Sequence, residues 1–79
     1  MTSLQRYKNV FIDALSIKND DFTDEIKYND IPEWDSIGHM TLMSGLEDAF
    51  KIALETDDII DFSSYEKGKE ILKKYKVNF

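Results

Sequence analysis

Cysteine is missing from the 79 residues, and histidine and proline occur once each. Without cysteine there is no disulfide framework, no thiolate nucleophile and no thiolate metal ligand. A single histidine, His39, excludes a zinc site built from several. Positive charge is scarce: ten Lys and Arg face sixteen Asp and Glu, a net charge of −6. Such a surface repels nucleic acid and anionic lipid and attracts basic protein partners. Residues 1–15 carry neither a long apolar run nor a basic start, so neither a signal peptide nor membrane insertion is expected. Strand alternation, repeats and low-complexity stretches are also lacking. The expectation is one small domain over residues 1–79, monomeric and cytoplasmic, with little interior for a deep catalytic cleft.

What is present is helical periodicity. Leu4, Tyr7, Phe11, Ala14 and Leu15 mark one face of a helix from Ser3 to Leu15, widened by Val10 and Ile12. From 16 to 35 the pattern breaks into turn chemistry at Asn19-Asp20-Asp21, Asn29-Asp30 and Ile31-Pro32. Phe22, Ile26, Tyr28, Ile31 and Trp34 would anchor this long loop across the helices, with a helical turn around 24–27. A second helix is predicted from Ser36 to Phe50. Its inner face is His39, Leu42, Met43, Leu46, Ala49 and Phe50, and its outer face Gly38, Thr41, Gly45, Asp48 and Lys51. Thr56 is read as the cap of a short third helix reaching Phe62. Ser63-x-x-Glu66 reads as a capping box opening a last helix to about Tyr75. The predicted fold is all-α: a four-helix bundle with a short third helix and a long loop between helices 1 and 2.

Everything turns on Asp35-Ser36-Ile37-Gly38-His39-Met40, where loop becomes helix. Asp35 is a strong N-cap type, able to accept from the free N–H groups of the first turn. Ser36 then takes the first helical position with its hydroxyl pointing outward. A phosphate there would meet unpaired N–H donors and the positive end of the helix dipole. Ser36 is therefore read as a modification site.

On these residues the chain resembles the free-standing, phosphopantetheine-dependent acyl carrier proteins. Asp35-Ser36-Ile37 matches the family's D-S-L/I core, followed by Leu42, Leu46-Glu47-Asp48-Ala49-Phe50 and Ile52. Trp34-Asp35-Ser36-Ile37-Gly38-His39-Met40 is similar to the W-D-S-x-G-H variant of small carriers outside the central fatty-acid pathway. The resemblance implies a 4'-phosphopantetheine arm on Ser36, with Asp35 capping the helix and serving transferase recognition. It implies a phosphopantetheinyl transferase, an acyl- or aminoacyl-activating ligase and acyltransferase or synthase partners, and a carrier that is not itself an enzyme. Fatty-acid carriers place acids just after the serine, whereas this chain has Gly38 and Thr41 there. A specialised pathway is therefore expected. The expected partner surface is Ile37, Gly38, Met40, Thr41 and Gly45, with longer-range steering from Glu47, Asp48, Asp57, Asp58 and Asp61.

Other readings stay beside this one. An aminoacyl carrier, of the D-alanyl or peptidyl kind, would use the same arm for a different cargo. A helical interaction module would need no cofactor. His39, three residues after Ser36, invites a hydrolase reading, but a pair on one turn has neither cleft nor oxyanion hole. The acids Asp20, Asp24, Asp57, Asp58 and Asp61 hint at calcium, yet Phe22 and a missing loop glycine break the EF-hand pattern. No metal is expected.

Overall fold

The computed structural model describes residues 2–79. Among them there are four α-helices, one 3-10 turn and no strand. The helices are α1 (Ser3–Leu15), α2 (Ser36–Phe50), α3 (Thr56–Asp61) and α4 (Tyr65–Lys73). The predicted all-helical class holds, and no helix among the described residues is long and apolar enough to cross a membrane.

Helix α1 begins where expected because Thr2 and Gln5 form a reciprocal capping box. It buries Tyr7, Phe11 and Leu15, while Leu4, predicted on the same face, stays exposed. Asp35 caps α2 by accepting the Gly38 N–H at 2.9 Å. Both helices end on a residue in the left-handed conformation, Ser16 (φ 54°) and Lys51 (φ 55°), positions where glycine is the usual choice.

The two later helices start one residue away from expectation. Thr56 is the first residue of α3 rather than its cap, and Glu55 fills the cap position without a side-chain bond. Ser64, not Ser63, caps α4, accepting the Lys67 N–H at 3.0 Å. Ser63 is engaged elsewhere, since its carbonyl accepts the Tyr28 N–H at 2.9 Å. That bond, with Tyr65 N–H to Ile26 O at 3.0 Å, forms an isolated bridge tying the first loop to the α3–α4 connector. In the loop, a 3-10 turn forms at Asn19–Asp21, and the helical turn expected near 24–27 is a single reverse turn closed by Ile26 N–H to Thr23 O. Pro32 occupies the second position of a turn closed by Trp34 N–H to Ile31 O, a place its fixed φ favours.

The core is aromatic at its centre. Phe11 meets the rings of Tyr7, Trp34, Phe62 and Tyr65. Tyr7 donates its hydroxyl to the Tyr65 carbonyl at 2.7 Å, which satisfies it inside the core. Burial raises the Tyr7 pKa and pushes that of Tyr65 up to about 12, so both stay neutral. Gly68 sits where α4 crosses this cluster. A Cβ there would lie 2.2 Å from both Phe62 Cζ and Tyr7 Oη.

Asp58 departs most from expectation. Expected at the surface among the acids that steer partners, it is instead buried at 6% exposure and bonded to Lys74 Nζ and Tyr75 Oη. Of the three acids in α3, Asp57 and Asp61 alone remain exposed. The Lys74 bond, then the Tyr75 bond, holds the Asp58 carboxyl below its ordinary value of 3.8.

Two outcomes follow for stability. Gly68→Ala should lower unfolding free energy by about 1–3 kcal/mol in urea titration, because overpacking outweighs the ~1 kcal/mol helical advantage of alanine. Asp58→Asn should lower the melting temperature wherever wild-type Asp58 is ionised. With its folded pKa depressed, the contribution of Asp58 is complete above pH 3.8 and is lost as pH falls through the lower folded value. The gap between wild type and variant should therefore be widest at neutral pH and close in acid, as read by melting curves across that range.

Candidate functional site

The N-terminus of α2 presents Ser36 at the surface. Its Oγ lies 3.3 Å from the Tyr28 hydroxyl, with either group able to donate. Behind it opens a cleft of about 400 Å³ lined by Tyr28, Ser36, His39, Met40, Ile59, Ile60, Phe62 and Ser63. The walls are thus the first two turns of α2, helix α3, the α3–α4 connector and Tyr28 of the first loop. Met40 and Ile60 on the cleft are 55% and 72% exposed, and Ile37, next to Ser36 in the chain, is 78% exposed.

His39 holds these walls together. Trp34 Nε1–H can only donate, and it does so to His39 Nδ1 at 3.0 Å. The neutral ring must then carry its proton on Nε2, which donates to the Ile59 carbonyl at 2.8 Å. Both nitrogens are committed, so His39 is not poised as a base for Ser36. Trp34 itself is fully buried. One imidazole therefore joins the loop, α2 and α3.

The proposed partner surface divides on inspection. Ile37, Met40, Thr41, Asp48, Asp57 and Asp61 are exposed as expected. Thr41 is bonded back to the Ile37 carbonyl at 3.2 Å. Gly38 and Gly45 are half-buried, and the space a side chain would take at each is already filled. A Cβ on Gly38 would lie 1.9 Å from the Glu33 carbonyl oxygen and 3.2 Å from Leu15 Cδ2, and one on Gly45 would touch Val10 Cγ1 at 3.0 Å. These glycines admit the preceding loop and α1 to the helix backbone. Glu47 also turns inward: its Oε2 accepts the Leu54 N–H at 2.8 Å and fastens the α2–α3 connector. Asp58, as described, serves α3 and the C-terminal turn.

Sequence reasoning missed Tyr28, His39, Ile59, Ile60, Phe62 and Ser63 as parts of one site. Ile59-Ile60 carried a usable signal, since a short helix with Asp at 57, 58 and 61 has only these two apolar side chains to offer a cleft. Tyr28 carried none, because its approach to Ser36 depends on how the loop folds back.

The residues present fit a phosphodiester on Ser36. Its hydroxyl is exposed, the first turn of α2 supplies a positive helix end, and the Tyr28 hydroxyl lies within reach. Among the described residues no group of three His, Asp or Glu is placed to hold a metal ion.

The roles of the two surfaces can be separated. Gly38→Ala should destabilise the fold by about 1–3 kcal/mol, since backbone is what its methyl would strike. Thr41→Glu should change stability by no more than ~0.5 kcal/mol, as exposed positions do. Denaturant titration of both variants checks the pair. Compared with known proteins, the chain matches no family model and no curated protein at significant similarity.

Proposed function

We propose that the chain is an acyl carrier protein of the four-helix-bundle type, carrying 4'-phosphopantetheine on Ser36 and not acting as an enzyme itself. The observation that carries this reading is an exposed serine at the first position of α2, capped by Asp35, at the mouth of an apolar cleft. In the loading reaction, a bond forms between Ser36 Oγ and the pantetheine phosphorus as the pyrophosphate bond of coenzyme A breaks. Adenosine bisphosphate leaves, and the hydroxyl proton passes to the transferase. When attached, the arm supplies the thiol that this chain lacks, and its thioester holds the cargo.

The chain's own residues orient and shelter. Asp35 fixes the first turn of α2, and the Tyr28 hydroxyl could donate to an oxygen of a phosphate carried on Ser36 Oγ. The walls at Met40, Ile59 and Phe62 can take an apolar portion of arm or cargo out of water. Partner enzymes would meet Ile37, Met40 and Ile60 next to Ser36, with Asp48, Asp57 and Asp61 steering basic surfaces toward them. Cargo follows from the ligase that loads the arm, so an aminoacyl carrier shares all of this geometry.

Incubation with coenzyme A and a broad-specificity phosphopantetheinyl transferase should add one phosphopantetheine, read by intact-protein mass spectrometry. Ser36→Ala should abolish the addition and keep the helical circular dichroism. A wild-type chain left unmodified by several transferases would leave the cofactor-free interaction module as the better reading.

A further inference from the structure

Helix α3 has little to hold it in place by itself. It is six residues long, and its cap residue Glu55 makes no side-chain bond to the first turn. Isolated helices of that length do not persist in water, so its position must come from outside contacts. Ile59 packs against the core, and two sets of bonds on different residues add to that contact. On the cleft side, His39 Nε2–H donates to the Ile59 carbonyl at 2.8 Å. Outside the cleft, the turn that follows α4 reaches back. Lys74 Nζ and Tyr75 Oη both donate to the Asp58 carboxylate, and Tyr75 Oη in turn accepts the Glu55 N–H at 3.0 Å. The Tyr75 hydroxyl thereby satisfies the N–H of the N-cap residue itself, the bond an N3 side chain makes in a capping box, while also bonding the middle of the helix.

The two sets share one short element. Ile59 and Ile60 line the cleft beside Ser36, while Asp58, immediately before them, faces the C-terminal turn. A six-residue helix moves as a unit, so loosening its grip on Lys74 and Tyr75 shifts the cleft wall. We propose that the C-terminal turn, acting through Tyr75 and Lys74 on Asp58, is a latch that sets how far α3 closes the Ser36 cleft. The latch lies outside the cleft: Asp58 and Lys74 line a separate depression that shares no residue with it. Any interaction that withdraws Tyr75 or Lys74 from Asp58 would widen the cleft from a distance.

This inference concerns the same cleft as the carrier reading but does not need the arm. The test therefore uses the full, unmodified chain. Tyr75→Phe removes the hydroxyl and keeps the ring, and Lys74→Met removes the ammonium and keeps most of the stem. In each variant the amide hydrogens of α3 should exchange roughly ten- to hundredfold faster, as expected for one lost bond to a charged group, with those of α1 and α2 unchanged. Nile red, as an apolar probe of the cleft, should bind more tightly to both variants, and Ile60→Glu in the Tyr75→Phe background should cancel the gain. Unchanged exchange in α3 in both folded variants would overturn the proposal. Equal acceleration in every helix would also overturn it, because Tyr75 and Lys74 would then support the whole fold rather than α3.

Discussion

The geometry around Ser36 depends on a single imidazole whose two nitrogens are both in use. Trp34 is fully buried, and its indole N–H would be an unsatisfied donor in the core without His39 Nδ1. The bond fixes the tautomer, and the tautomer directs the remaining proton at the Ile59 carbonyl. A buried ring in the loop is thus linked through His39 to the backbone of α3. The loop is long, yet Trp34, Ile26 and the bridge to Ser63 and Tyr65 give it the constraints of a packed element.

Three aspartates within five positions show how far local charge patterning can mislead. Asp57 and Asp61 are solvated, while Asp58 has an ammonium and a phenol for partners and very little contact with water. The carboxylate also perturbs its partners, raising the pKa of Lys74 and of Tyr75. Repulsion among the acids of α3 is correspondingly smaller than their sequence spacing suggests. The ion pair is short in space and long in the chain.

The parts legible in the sequence are those set by local physics. The bounds of α1 and α2 follow from apolar spacing and from Asp35, whose side chain acts within its own turn. The caps of α3 and α4 are misread by one residue. Two adjacent serines compete for one role, and a distant tyrosine bonds the N–H of the cap residue Glu55. The faces of Gly38 and Gly45 were illegible for a different reason: glycine has no side chain to report polarity, so a helical wheel assigns it to whichever face is otherwise empty. The Ser36 position was readable from six consecutive residues. The cleft behind it was not, because it assembles Tyr28, His39 and Ile59 from three separate stretches.

Glycine placement in this chain inverts the common pattern. All three glycines lie in helices, none has a positive φ, and the left-handed positions are held by Ser16, Asn29, Lys51 and Lys76. A map of mutational tolerance should be inverted in the same way. The turns, ordinarily defended by irreplaceable glycines, are where this protein has room to be improved, with glycine itself the favourable replacement. Within the helices, where alanine is ordinarily the safest choice, Gly38 and Gly68 refuse even a methyl group.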